Sequence, residues 1–395
     1  MSFRTLRRRA ARAVHSPVGI VAAALLCATP LSTSPLHAQG GLSSLGFGYP
    51  VGGTSTRAAA MGGAFGEFDA LSPINPSALG GLTRTVISVQ AEPEFRTLTL
   101  GGVSEKTRAQ RIPLLSVAFP FSRGFAAGVS ASTFLDRSYS TVTQDAIVVD
   151  GQTVNTTDQI DVRGSIGDLR MAVGWRINDR FSVGVGGHLF TGDNLVARER
   201  TFEDTLRFGS VLDSSRVVYF GRALSLGGEW RIRKGLATQV SFRRGGTIDA
   251  RVLDTVRTRA SVPDRLGIGL RYDGIPGSVF AAGIEQQDWT SMQSLGSDLV
   301  KPRDATNWHV GAETAGPRLR GVPLLVRAGY ARNALPFGLN SGVVNESRLS
   351  AGLGVPIARE QASLDLSVRR AKRTLVGGGA KEKAWLLGIG VQIRP

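Results

Sequence analysis

Trp385-Leu386-Leu387-Gly388-Ile389-Gly390-Val391-Gln392-Ile393 is the stretch whose reading decides the fold. Trp385, Leu387, Ile389, Val391 and Ile393 take every second position, with Leu386, Gly388, Gly390 and Gln392 between them. On a helix the five apolar residues would scatter around the axis, whereas on a strand they line one side. The stretch therefore predicts a β-strand with one apolar face and one face of small and polar residues.

The same pattern recurs backwards to about residue 83. Leu169, Met171, Val173, Trp175 and Ile177 alternate with Asp168, Arg170, Ala172, Gly174 and Arg176. Leu224, Leu226, Trp230 and Ile232 alternate with Ser225, Gly227, Glu229 and Arg231. Residues 181–189, 236–242, 266–272, 324–330, 349–355 and 362–369 behave alike. Connections alternate between short ones (121–124, 178–180, 233–235, 273–277, 358–360) and longer polar ones (139–161, 201–215, 251–264, 290–304, 337–348, 374–383). Short periplasmic turns and long external loops are the habit of outer-membrane barrels. The expectation is all-β: a transmembrane antiparallel β-barrel of about 14 strands over residues 83–395. Residues 92–111 either extend the first strand or add a hairpin.

Hydrocarbon offers backbone N–H and C=O groups no partner, so a sheet inside it must close on itself. Its outer face must then be apolar while its inner face is free to be polar. Trp175 and Trp230 precede short turns, and Trp308 and Trp385 open strands after long loops, a placement suited to two aromatic girdles. A soluble sandwich or propeller also alternates. It would place the glycine-rich second face at its surface, where Gly weakens a strand for no gain.

The N-terminus agrees with export. Residues 1–15 hold Arg4, Arg7, Arg8, Arg9 and Arg12 and no acid, residues 18–28 are uncharged and apolar, and Ala38 ends a small-residue cleavage motif. This order predicts a signal peptide over residues 1–38, with an apolar run too short to span a bilayer as a helix. Cys27, the one cysteine, would leave with it, so a disulfide or cysteine metal site is not expected. The formal charge of +16 becomes +11 once five arginines are removed (42 bases against 31 acids). The arginines are spread along the chain rather than clustered, so no nucleic-acid partner is expected. The mean hydropathy of +0.01 excludes a bundle of membrane helices.

Residues 39–82 alternate poorly and are rich in Gly, Ala and Ser. They include Arg57-Ala58-Ala59-Ala60-Met61-Gly62-Gly63-Ala64-Phe65, with a short helical turn expected near Ala58, then Phe68-Asp69-Ala70-Leu71 and Ile74-Asn75-Pro76-Ser77-Ala78-Leu79. This order resembles the start of the FadL-like family, outer-membrane transporters of long-chain fatty acids and other hydrophobic compounds. It is also similar to barrels of that superfamily that serve type IX secretion. The resemblance implies a hatch over residues 39–82, folded inside the barrel near an Asn-Pro-Ala motif. Asn75, Pro76 and Ser77 match that motif, with Ser77 in place of the usual Ala. The chain departs again at Ile393-Arg394-Pro395, where many barrels end in an aromatic residue. A barrel of this size encloses more space than its own side chains fill, so a plug is physically reasonable. A hydrophobic ligand is expected against Phe65, Phe68, Leu71 or Ile74. The alternative is a disordered periplasmic leader.

The inward faces carry Arg170, Arg176, Arg231, Arg243, Arg271, Arg327 and Arg369, with Asp168, Glu229, Glu285 and Asp365 among them. One reading is a basic lumen that attracts a carboxylate or phosphate head group. The other, favoured, is a set of arginine–carboxylate ladders holding plug and wall together. No enzyme is expected: His188 and His309 fall on separate strands and nothing selects a triad. No metal cluster, phosphate loop or cofactor site is apparent. The leading functional expectation is passive uptake of hydrophobic small molecules such as long-chain fatty acids. The second is a protein-interaction barrel of a type IX-like secretion system or an outer-membrane scaffold, and a general porin is disfavoured by the plug. Expected partners are outer-membrane lipid, a hydrophobic small-molecule ligand and the barrel-assembly machinery.

Overall fold

The computed structural model describes residues 48–100, 103–149, 152–204, 206–295, 302–319, 321–337, 342–357, 361–377 and 380–395. The expected signal peptide, residues 1–38, lies outside them.

Fourteen antiparallel strands form a closed barrel. In chain order they are β1 Val86–Leu100, β2 Val103–Ser122, β3 Phe125–Asp136, β4 Gln152–Arg176, β5 Phe181–Phe202, β6 Val211–Arg233 and β7 Leu236–Val252. The second half is β8 Arg265–Tyr272, β9 Ser278–Gln287, β10 Ala305–Leu319, β11 Val322–Leu335, β12 Val344–Ile357, β13 Ala362–Leu375 and β14 Lys381–Ile393. Each pairs with the next, and β14 closes the ring on β1 with Lys381 opposite Thr99 and Ile393 opposite Ile87. Residues 92–111 resolve as one long β1–β2 hairpin, Glu92 opposite Arg111 and Leu100 opposite Val103.

The period-two reading places side chains as expected. On β14, Trp385 is 48% and Ile389 47% exposed on the outer face, while Leu386 is 1% exposed on the inner one. On β4, Met171 and Trp175 face out and Asp168, Arg170 and Ala172 are buried. An outer surface of Val, Leu, Ile and Phe on a closed sheet belongs in hydrocarbon, and the chain is an outer-membrane barrel. Trp175 stacks on Phe125 at 5.3 Å and Trp230 on Phe181 at 6.2 Å, next to the short turns. The β2–β3 and β6–β7 turns have two residues each, and Gly124 and Gly235 supply the φ of +80° that such turns need.

The external loops differ from expectation. Residues 139–161 are not an irregular loop: a strand at Tyr139–Val149 pairs with the start of β4, Tyr139 opposite Val162 and Val149 opposite Gln152. Within 251–264, the strand Thr255–Ser261 folds back on the end of β7. At 25 residues, β4 is about 80 Å long, far more than a tilted crossing requires. The excess is an external sheet held by its own backbone ladder. Residues 290–304 open differently again: a 3₁₀ turn at Trp289–Leu295 drops into the barrel mouth, burying Trp289 and Met292.

Candidate functional site

Residues 48–82 pack inside the barrel. Ser55 caps a five-residue helix, α1 (Thr56–Ala60), its Oγ accepting from Ala58 N at 3.1 Å. Two 3₁₀ turns follow, Gly66–Phe68 and Pro76–Gly81. Asn75 caps the second. Its Oδ1 accepts from Ser77 N at 3.0 Å and Ser77 Oγ at 2.8 Å. The hydroxyl by which Ser77 departs from the family pattern is thus used within the cap. Helix α1 lies against β12, β13 and β14, and the last turn lies against β4, β5 and β6. The hatch therefore bridges the lumen from wall to wall.

Glycines on the inner faces make this close approach possible. A Cβ on Gly227 would lie 1.9 Å from Asn75 Oδ1, and one on Gly329 would lie 2.2 Å from the Met61 carbonyl carbon. Either contact is far inside van der Waals range, so the hatch reaches the wall's backbone only because no side chain intervenes.

Hydrogen bonds and ion pairs then fix the hatch to the wall. Asn75 Nδ2 donates to Gln239 Oε1 at 2.7 Å, Gln239 Nε2 to Glu229 Oε2 at 2.6 Å, and Arg231 Nε to Glu229 Oε1 at 2.9 Å. Arg57 holds Glu313 in a fork, at 2.9 and 2.6 Å. Glu313 also accepts from Arg327 at 2.6 Å, and Arg327 reaches Asp365 at 2.5 Å. Glu67 accepts from Arg265 at 2.6 Å, and Arg265 also pairs with Glu285 at 2.6 Å. Tyr49 OH donates to Glu346 Oε2 at 3.1 Å, beside Arg373. Arg176 Nε donates to the Gly80 carbonyl at 3.0 Å, Arg369 pairs with Glu92, and Arg271 lies over the Phe68 ring at 5.2 Å. Of the predicted inner cations, Arg176, Arg231, Arg327, Arg369 and Arg271 thus all take structural partners. Several of these guanidinium groups still keep buried nitrogens without a hydrogen bond, Nε of Arg271 and Nε and Nη2 of Arg369 among them. Both Nε and Nη2 of Arg170, and Nε of Arg243, are likewise buried without a hydrogen bond, while Arg243 Nη2 donates to the Pro263 carbonyl at 3.2 Å. Arg243 lies between the rings of Phe134 and Phe190, at 5.5 and 5.7 Å.

Between the hatch and the barrel mouth lies a cavity of about 170 Å³. Phe134 and Trp289 line it on the mouth side, and Ile74 and Glu67 on the hatch side. Arg243 and His309 are among its wall residues. Its apolar roof is an aromatic cap: Trp289 stacks on Phe134 at 5.5 Å and meets Phe337 edge-on at 5.5 Å, and Phe134 meets Phe190 at 4.9 Å. Of the four apolar hatch residues expected to meet a ligand, Ile74 alone lines this cavity. Phe65 and Phe68 are buried 6.2 Å apart against Ala237 and Ala281, and Leu71 is buried in the hatch.

The two histidines, expected far apart, line the same cavity. His188 Nδ1 lies 2.9 Å from Asp168 Oδ2 and its Nε2 lies 2.9 Å from Ser225 Oγ. This is the order of a hydrolytic triad, on residues that sequence spacing did not connect. Ser225 is 1% exposed, and the strands flanking it spend their N–H groups on the ladder that pairs Ala223 with His188 and Leu226 with Val185. A developing oxyanion would find no backbone donors there, and the three residues serve as a buried polar link between β4, β5 and β6. Sequence reading also missed Trp289, Phe337, Glu67 and Glu313. Each sits in a segment whose partner lies far along the chain.

A family model described as BamG matches residues 20–243, more than half of the chain. The chain belongs to the BamG family. Among solved structures, this BamG-family chain is similar to a Pseudomonas aeruginosa FadL homologue, with a TM-score of 0.62 at 13% identity over 88% of this chain and 99% of that one. It is similar to the CymD monoaromatic hydrocarbon channel, with a TM-score of 0.54 at 13% identity over 87% and 98%. It also resembles the Pseudomonas putida toluene transporter TodX, with a TM-score of 0.53 at 11% identity over 89% and 99%. At such identities the likeness establishes the fold, which is FadL-like. No protein of curated function matches the sequence.

Proposed function

We propose that this BamG-family barrel admits small hydrophobic or amphipathic molecules through the outer membrane, past an aromatic cap and around a hatch. The observation that carries the reading is the cavity itself. Its aromatic roof of Phe134 and Trp289 adjoins the Arg243 guanidinium, whose Nε is buried without a hydrogen-bond partner, which suits an apolar body with a polar or anionic end. A volume of about 170 Å³ is below the ~300 Å³ at which pockets for larger ligands begin, which favours a compact aromatic compound over a long-chain fatty acid. The likeness to the monoaromatic hydrocarbon channel CymD and the toluene transporter TodX supports the same ligand class. Uptake of radiolabelled toluene, benzoate and oleate by a deletion strain, with and without the restored gene, tests it. Restored uptake of the aromatic compounds is expected; equal uptake of every compound in both strains would overturn the proposal.

A second reading is favoured by family membership and by the ion pairs that tie the hatch to β8 and β10: a closed barrel acting as a partner of the outer-membrane barrel-assembly machinery. Stoichiometric recovery of that machinery by gentle affinity purification from membranes supports it, and recovery of the barrel alone supports transport.

A further inference from the structure

The outer wall carries a feature independent of the lumen. Across β4–β7 lies an open hollow of about 560 Å³, with the outward Leu169, Met171, Leu189 and Leu224 on its sides. Gly187 opens it: a Cβ there would meet nothing within 4 Å. The β6–β7 register slips between Gly221 and Ala223, so that Arg222 stands opposite the two bulged residues Gly246 and Thr247 of β7. Arg222 and Arg244 both line the hollow.

Arg222 lies on the outward face between Phe220 and Leu224, both widely exposed to the bilayer. Trp230, at the short-turn edge of the same face, is eight residues away. With strands tilted by about 40°, that spacing is roughly 20 Å along the membrane normal, near the top of an apolar band about 25 Å tall. Arg222 therefore sits near the outer edge of the apolar band, where a lipid-facing cation costs far less than at the midplane and its long side chain reaches the head groups. It has no carboxylate partner among the described residues. The nearby acids are engaged. Asp193 pairs with Arg216 at 2.8 Å, and Asp264 pairs with Arg244 while accepting from Gly245 N at 2.8 Å. Arg222, Arg244 and Asp264 thus leave one positive charge beside an apolar hollow whose volume falls in the range of ligand pockets, about 300–1,000 Å³.

We propose that this hollow seats a phosphorylated acyl lipid of the outer leaflet, its phosphate on Arg222 and Arg244 and one acyl chain along Leu169, Met171, Leu189 and Leu224. Guanidinium groups match phosphate through paired N–H donors. Acyl chains fit the alternate-row apolar wall, and two head-group contacts fix the lipid that the hollow selects.

Native mass spectrometry of the full-length barrel, released from detergent after equilibration with bisphosphorylated lipid A, tests this. One retained lipid A per barrel is expected, with about fivefold weaker retention for Arg222→Gln and again for Arg244→Gln. Retention should be unchanged for Arg180→Gln at a periplasmic turn. Dephosphorylated lipid A should be retained no better than by Arg222→Gln, and inorganic phosphate should fail to displace the lipid. Equal retention by Arg222→Gln, equal retention of the dephosphorylated lipid, displacement by free phosphate, or a lipid-free dimer would each overturn the proposal. Heat-modifiable migration of each variant confirms that the barrel itself is folded.

Discussion

Asn75 and Gln239 join hatch to wall: the Asn75 amide donates to the Gln239 carbonyl at 2.7 Å while its own Oδ1 caps the turn that follows. One side chain thus ends a local structure and anchors it to a strand 164 residues away in sequence. Asn75→Ala removes the cap, worth about 1 kcal/mol, and leaves a buried Gln239 oxygen without its donor, at a further cost of about 1–3 kcal/mol. The expected result is a hatch that limited proteolysis cuts faster, in a barrel that keeps its heat-modifiable migration. An unchanged cleavage rate would show that the turn is held by its other contacts.

Gly227→Ala should displace the hatch more than it destabilises the wall. The added methyl would lie 1.9 Å from Asn75 Oδ1, so the turn at Pro76–Gly81 must back away. Single-channel recording in planar bilayers should show larger or noisier conductance than the parent. Gly187→Ala, on the outer face with open space around it, is the matched control and should leave conductance unchanged.

Trp289→Ala should open the mouth. The indole stacks on Phe134 and meets Phe337, and truncating a buried Trp costs about 3–5 kcal/mol. Faster uptake of small aromatic compounds by cells carrying the variant is expected. Slower uptake would mean that the ring guides ligand rather than blocks it.

Glu313→Gln tests the ion-pair lock. Glu313 accepts from both Arg57 and Arg327, and removing one partner of a buried pair costs about 3–5 kcal/mol. A lowered urea midpoint with unchanged slope is expected. The double variant Arg57→Met with Glu313→Gln should recover part of the loss, since the partly exposed Arg57 is then no longer left facing a neutral side chain.

External stability should depend on pH through Asp158, which lies on the part of β4 beyond the apolar belt. Hydrogen bonds from Arg200 at 2.6 and 2.7 Å and from Arg198 at 2.7 Å hold its carboxyl well below the usual carboxylate range. A depressed folded pKa means the stabilisation is fully present above the unfolded value of about 4 and is lost as pH falls through the folded one. Protease cutting of the external sheet should therefore rise below about pH 4. Asp158→Asn should remove that dependence.

The barrel was legible because a strand's period is a local property: residues 169–177 or 385–393 declare both faces without reference to anything distant. The helical turn near Ala58 was legible too, and Thr56–Ala60 is helical. The external sheet was read as loop because neither face of its strands is consistently apolar. The signal available was the β-branched alternation flanking Asp150-Gly151, a dipeptide favoured in hairpin turns. The cap and the His188–Asp168–Ser225 link were not legible. Each depends on which strands lie side by side, and periodicity gives the faces of a strand but not the height at which a neighbour's residue meets it.

The seam has a consequence for biogenesis. β14, the last of the fourteen strands in order, pairs with β1, and β1 directly follows the hatch in sequence. A plug bridging opposite walls, with backbone pressed against backbone, cannot be threaded into a finished cylinder. It has to be in place while the two edge strands are still apart, so zipping β14 onto β1 is also the event that imprisons it.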